Sequence, residues 1–211
     1  MTVDLFAGPL LALLLGYLLG SIPFGVILTR LAGAGDLRSV GSGNIGATNV
    51  LRTGHKGLAA ATLLLDMAKG TAAVILADWL FPGNVATPAL GALIGHLYPV
   101  WLRFKGGKGV ATFFGLILAF CILGELGWIA AAAYAGIWIG LLVLLRYSSL
   151  AGMSAALLAP LVAALLGRFD LALLFLGFGL LVFWKHRENL ERLLAGIEPK
   201  VGGGAGSVAD G

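Results

Sequence analysis

Long apolar runs, separated by short clusters of glycine, amide and cationic residues, limit what this chain can fold into more than any other feature. Seven runs can be drawn, approximately Leu5–Leu28, Leu58–Leu80, Thr87–Leu102, Val110–Leu123, Leu126–Leu145, Leu150–Leu166 and Leu171–Trp184. In hydrocarbon each backbone N–H and C=O must find its partner within the protein, so such runs fold as helices. A crossing helix needs about 20 residues, with a range of about 17–25. The third, fourth and seventh runs are shorter, so they are expected to tilt, to break or to lie enclosed by protein. If the third and fourth form a re-entrant pair, five full spans remain. Only 11% of the residues are charged and 59% are hydrophobic, whereas a soluble domain carries roughly 25% charge. The expected fold is all-α and integral to the membrane, a seven-transmembrane-helix bundle.

Charge fixes the expected orientation, because cytoplasmic loops collect Lys and Arg. Seven alternating spans put Arg30, Arg38, Arg52, Lys56, Arg103, Lys105, Lys108, Arg146, Lys185, Arg187, Arg192 and Lys200 on one side. The other side holds Arg168 with Asp4, Asp78, Glu125 and Asp170. The N-terminus is therefore expected outside and the C-terminus in the cytoplasm. Asp4 precedes the first run and the first basic residue, Arg30, follows it. A secretory signal has the reverse order, so this run reads as a retained helix. The net charge of +4 follows from the same loop bias and does not call for nucleic acid. Residues 1–200 read as one membrane domain and 201–211 as a flexible Gly-rich tail. The single Cys121 excludes an intramolecular disulfide.

Every polar cluster falls on the expected cytoplasmic side, which is where the chemistry is expected. In Gly41-Ser42-Gly43-Asn44-Ile45-Gly46-Ala47-Thr48-Asn49, the glycines allow sharp turns that aim N–H groups at one point. Ser42, Asn44, Thr48 and Asn49 add uncharged donors, and Arg52 adds a fork suited to phosphate. The alternative is a tight turn followed by a helix cap. In Arg103-Phe104-Lys105-Gly106-Gly107-Lys108-Gly109, two lysines and three glycines open a helix whose N-terminus favours an anion. This is not a nucleotide P-loop, because Gly109 stands where a Ser or Thr is needed and the upstream glycine is missing. Its plainer reading is a positive-inside anchor.

His96 and Pro99 lie near the end of the third run, where Pro99 should kink or end the helix. In Lys185-His186-Arg187-Glu188-Asn189, His186 and Asn189 share a face if the helix continues. Glu188 and Arg192 are spaced to pair, or the segment is a basic amphipathic helix on anionic lipid. A histidine beside a carboxylate also suits proton transfer. Asp66 and Lys69 sit inside the second run and are either a locking pair or functional. Ser149, in the short turn Arg146-Tyr147-Ser148-Ser149, either caps a helix or reaches the same pocket. No His, Cys, Asp or Glu cluster has metal-ligand spacing, and no cofactor is expected.

In chain order these clusters resemble the signatures of the bacterial acyl-phosphate:glycerol-3-phosphate acyltransferase family (PlsY type). The resemblance runs through Gly20-Ser21-Ile22-Pro23 with Gly41 to Arg52, then Gly95-His96-Leu97-Tyr98-Pro99 with Phe104 to Thr112, then Lys185 to Leu193. It implies seven helices, an outside N-terminus and an active site facing the cytoplasm from the bacterial inner membrane. It also implies acyl transfer from acyl phosphate to the sn-1 hydroxyl of glycerol 3-phosphate, giving lysophosphatidic acid and phosphate, the first acylation of phospholipid synthesis. On this basis Ser42, Gly43, Asn44, Thr48, Asn49, Arg52, Lys105, Gly106, Gly107, Lys108 and Gly109 are expected to hold phosphate. Lys108, His186, Asn189 and Ser149 are expected to be catalytic, with His96 and Glu188 in support. The expected partners are acyl phosphate, glycerol 3-phosphate, membrane lipid and an enzyme that produces acyl phosphate.

Two other readings compete. Acyltransferases fed by acyl-CoA or acyl carrier protein use a His-x4-Asp motif, but here His186 is followed five residues later by Glu191. A transporter of phosphorylated metabolites needs polar groups on both faces and through the midplane. Only Asp66 and Lys69 offer that. No clear internal repeat is present, which also argues against an inverted-repeat transporter.

Overall fold

The structure, a computed structural model, describes residues 2–202, with side chains from residue 7 onward. The side chain of Asp4, and residues 203–211 of the expected tail, lie outside the described residues. Among the described residues all regular structure is helical. In chain order the α-helices are α1 (Thr2–Gly20), α2 (Phe24–Leu31), α3 (Ala47–Leu51), α4 (Lys56–Leu80) and α5 (Ala86–Leu97). They continue with α6 (Val110–Ile122), α7 (Trp128–Leu145), α8 (Ser148–Leu165), α9 (Phe169–Lys185) and α10 (Arg187–Leu194). Single 3-10 turns lie at Leu37–Ser39 and Val100–Leu102.

Among the described residues, four segments are long and apolar enough to cross a membrane: Ala7–Leu31, Lys56–Leu80, Trp128–Leu145 and Ser148–Leu165. A fifth is α9 taken with α10, although the two are bent by 59°. Helices α5 and α6 are only 12 and 13 residues long.

The first run is not the one continuous helix expected. It breaks at Ser21–Pro23, where Pro23 supplies no N–H and its ring interferes with the preceding turn. Helix α4 starts at Lys56 and buries Ala59, Thr62, Asp66, Lys69, Ala73 and Ala77, one face at helical spacing. The break and this face are linked: Lys69 Nζ donates to the Ile22 carbonyl at 2.7 Å, beside the break. Pro99 ends the third run as expected, since α5 stops at Leu97.

Backbones touch where α1 crosses α5. A Cβ at Gly16 or Gly20 would collide with the α5 backbone at Pro88 or Ala92, and one at Gly91 or Gly95 with α1. Glycines four apart on both helices permit this approach, a membrane packing mode that works through dispersion contact.

Helix α6 is the central element. It buries Thr112, Phe113, Leu116, Ile117, Ala119, Phe120 and Cys121. Phe113 meets Tyr134, Phe175 and Phe178 edge-on at 5.3–5.5 Å between ring centroids, the geometry that aromatic quadrupoles prefer. Enclosure by α4, α7, α8 and α9 explains how so short an apolar helix is tolerated. The outward surfaces of α7, α8 and α9 expose Leu144, Leu165 and Leu173. At the end of the bundle away from the polar clusters, Arg168 pairs with Glu125 at 3.0 Å and with Asp170 at 2.8 Å.

Candidate active site

Several segments distant in the chain converge on one cavity at the end of the bundle where α4 and α6 begin. It is lined by Ser42, Asn44, Thr48, Asn49 and Arg52 from the first loop and by Lys108, Gly109, Val110 and Ala111 from the second. Ser149 from α8, and His186 and Asn189 from the α9–α10 bend, complete the polar wall. Asp66 and His96 lie on the same wall, with Leu63 and Trp138 as apolar neighbours.

The first loop is shaped from within. Asp36 caps the 3-10 turn by accepting from the Arg38 N–H at 3.0 Å, and the Arg38 guanidinium pairs with it at 2.7 Å. Hydrogen bonds from the Arg38 side chain and backbone hold the Asp36 carboxyl well below its ordinary range. Gly41 and Gly43 adopt φ of 54° and 67°, the left-handed region where glycine carries no penalty. Asn44 Oδ1 accepts from the Gly46 N–H at 2.9 Å. Asn49 differs from the expectation of a ligand donor. Its amide hydrogens go to the Leu37 and Val40 carbonyls at 3.0 and 2.9 Å, so it ties the loop together. Ser42, Thr48 and Arg52 make no side-chain hydrogen bond among the described residues and remain available to a ligand.

The second loop turns back beneath α5. The N–H groups of Gly106 and Gly107 donate to the Leu97 and His96 carbonyls at 3.2 and 3.0 Å, so neither is free for an anion. A Cβ on Gly107 would run into the His96 ring, and one on Gly106 into the His96 carbonyl and Pro99. The glycines therefore let the loop lie flat on His96. Gly109, with φ of 87°, precedes the first turn of α6, whose unpaired N–H groups open on the cavity.

Lys108 donates to Asn189 Oδ1. Burial is the largest cause that brings Lys108 down to about 8, with Arg192 and Arg52 adding repulsion and Glu198 opposing it. Asn189 passes its own amide hydrogen to Glu198 Oε1 at 2.6 Å. Ser149 Oγ donates to the same oxygen at 2.7 Å, and Arg192 reaches Glu198 Oε2 at 2.7 Å. Burial pushes the Glu198 carboxyl up, but these three donors and the Arg192 charge prevail and lower it. His186 Nδ1 lies 2.8 Å from the Val182 carbonyl. A carbonyl only accepts, so Nδ1 carries the hydrogen and Nε2 is the acceptor. Burial first, and the Lys108 charge second, bring His186 down to about 4, which leaves it neutral near pH 7.

Of the expected site residues, Gly43, Lys105, Gly106, Gly107 and Glu188 lie outside this cavity. Lys105 and Gly43 border a separate depression with Asp36, Arg38 and Ser39. Glu188 is exposed and lies 3.7 Å from Arg187, while its expected partner Arg192 has turned to Glu198. The carboxylate that Ser149, Asn189 and Arg192 share is thus Glu198, for which the sequence suggests no role. Its only local signal is an acidic residue between Gly196 and Pro199, just past an amphipathic helix.

Comparison with known proteins follows the same lines. Residues 10–196 match the family model described as glycerol-3-phosphate acyltransferase. A glycerol-3-phosphate acyltransferase of Mesorhizobium japonicum is 56% identical over 92% of this chain and 97% of its own. One from Nitrobacter winogradskyi is 55% identical over 94% and 98%. Among solved structures, the glycerol 3-phosphate form of PlsY (YgiH), an integral membrane glycerol 3-phosphate acyltransferase, superposes with a TM-score of 0.84. It is 37% identical, and the match covers 92% of this chain and 96% of that one. The lysophosphatidic acid form superposes with a TM-score of 0.80 at 35% identity, over 91% and 94%.

Proposed function

The chain belongs to the glycerol-3-phosphate acyltransferase family, and from that premise we propose that it moves an acyl chain from acyl phosphate to the sn-1 hydroxyl of glycerol 3-phosphate. The products are lysophosphatidic acid and inorganic phosphate. The observation that carries this reading is the convergence on one cavity of Arg52, Lys108 and the α6 N-terminus, beside the apolar Leu63 and Trp138. Two phosphates need neutralising there, and an acyl chain needs an apolar way out.

An acyl phosphate is a mixed anhydride with a good leaving group, so no covalent enzyme intermediate is required. The protein's work is alignment and charge stabilisation. Ser42, Thr48, Arg52 and Lys108 hold the donor phosphate. Lys108, His186 and Asn189 hold glycerol 3-phosphate, and Ser149 is a polar contact nearby. The sn-1 oxygen attacks the acyl carbon, the new ester C–O bond forms, and the anhydride C–O bond breaks with its electron pair on phosphate. The hydroxyl proton ends on that phosphate. His186, held down to about 4, is a weak base at neutral pH, and its Nε2 orients the hydroxyl by accepting a hydrogen bond.

The same reading places seven spans in the bacterial inner membrane, with the N-terminus outside and the cavity facing the cytoplasm. The sorting of basic residues supports it. An enzyme that makes acyl phosphate is then the natural functional contact.

The test uses purified protein in detergent or lipidic phase, supplied with acyl phosphate and glycerol 3-phosphate. Lysophosphatidic acid and phosphate should form in equal amounts, with Lys108→Ala inactive and acyl-CoA inert as a donor. Folded protein that makes no product from acyl phosphate would refute the assignment.

A further inference from the structure

Two buried polar side chains on the cavity wall have no role in the reaction derived above. Asp66 and His96 are each only 3% exposed, on α4 and α5, and both line the cavity. Lys69 Nζ lies 2.7 Å from Asp66 Oδ1, which balances the charge. Yet Asp66 Oδ1 accepts no well-formed hydrogen bond, and His96 Nδ1 has no partner either. The two atoms are 3.8 Å apart, too far to bond directly.

A purely structural ion pair does not account for this. Burying such a pair costs several kcal/mol per ion and is tolerated when the remaining lone pairs are satisfied. Here two of the unpartnered buried atoms belong to neighbouring side chains of residues that line the cavity. Native proteins leave few buried polar atoms unpaired, and those few call for an occupant.

The spacing specifies the occupant. One oxygen seated beside the pair, about 2.8 Å from each atom, can donate to Asp66 Oδ1 and accept from a hydrogen on His96 Nδ1. A hydroxyl group fits this role. A phosphate oxygen does not, because the carboxylate would repel it.

We propose that Asp66 and His96 form a hydroxyl-reading floor that takes the C2 hydroxyl of the acceptor and leaves the sn-1 hydroxyl facing the acyl carbon. This rests on the acyltransferase reading above. The phosphate of glycerol 3-phosphate sits on Lys108, the C2 hydroxyl on the floor, and only one hydroxyl is left to react. Lys69, anchored on the Ile22 carbonyl, acts as a positioning residue that holds the Asp66 carboxyl at 2.7 Å.

The test compares glycerol 3-phosphate with 3-hydroxypropyl phosphate, which lacks the C2 hydroxyl and keeps the reacting one. A site built to bond a hydroxyl rejects the analogue that lacks it. Wild-type enzyme should therefore prefer glycerol 3-phosphate in kcat/KM by roughly 100-fold or more. In Asp66→Asn and His96→Leu this preference should shrink at least tenfold, with the loss falling on glycerol 3-phosphate. Equal use of both acceptors by wild type would overturn the proposal, whether or not the variants fold. A loss of equal size on both acceptors in the variants would overturn it too, and would mean that the pair holds only a structural water. Absence of product from either acceptor with wild type would instead sink the acyltransferase reading.

Discussion

In the proposed reaction Lys108 must stay protonated to neutralise phosphate, and its surroundings work against that. Burial and the nearby cations bring it down to about 8, so the ammonium dominates at neutral pH and is lost above that value. The pH dependence of kcat/KM reports the free enzyme. The rate should therefore fall about tenfold per pH unit above pH 8. Lys108→Arg should lower the rate but remove this alkaline limb, since a guanidinium keeps its proton beyond about pH 12. A limb unchanged in Lys108→Arg would mean that another group titrates. Glu198 is the other residue on which the site turns, for a different reason. It is the common acceptor for Ser149, Asn189 and Arg192. Glu198→Ala leaves three donors unanswered, one of them the partly buried Arg192 cation, at a cost of about 2–4 kcal/mol. A thermal shift of the detergent-solubilised variant should show a clearly lower Tm together with loss of activity. An unchanged Tm would reduce Glu198 to a ligand contact.

At the scale of elements, the turn from α5 into α6 explains why glycine alternates with lysine. Gly107 has no room for a Cβ because the His96 ring occupies that space. Gly107→Ala should overpack the turn by about 1–3 kcal/mol and displace Lys108, raising KM for phosphate-bearing substrates. Gly107→Ala combined with His96→Ala should recover stability, and an equally low Tm in the double variant would show that the ring is not the obstacle. This turn also marks what the sequence made legible. The apolar runs declared the helices, because hydrocarbon leaves the backbone no other choice. The Gly/Lys spacing declared a tight loop that opens α6 and sets Lys108 on the cavity wall. The sequence did not disclose that Asn49 bonds its own loop, or that the chain bends by 59° at His186. Nor did it disclose that Glu198, rather than Glu188, enters the site. Those features depend on contacts between residues distant in sequence or on the aim of a single side chain, and periodicity carries neither.

For the whole molecule, the short helices α5 and α6 decide how deep the chemistry lies. At 1.5 Å per residue they span only about 18 and 20 Å, against a hydrocarbon core of about 30 Å. If both cross the membrane, the cavity at the start of α6 is sunk roughly 10 Å below the cytoplasmic interface. That depth suits the proposed donor, whose acyl chain would stay in lipid while its phosphate met Arg52 and Lys108. It also lets the central helix α6 spend its length on aromatic packing against α9 rather than on lipid. If α5 and α6 instead form a re-entrant pair entering from outside, the same loop would sit in mid-membrane. Accessibility separates the two arrangements. In a Cys121→Ala background, Pro82→Cys, Lys105→Cys and Lys200→Cys each place one thiol on an exposed residue. In right-side-out spheroplasts an impermeant thiol reagent should label Pro82→Cys alone, and the other two only after permeabilisation. Labelling of Lys105→Cys from outside, or its protection on both sides, would remove the seven-span arrangement and with it the cytoplasmic entry of glycerol 3-phosphate.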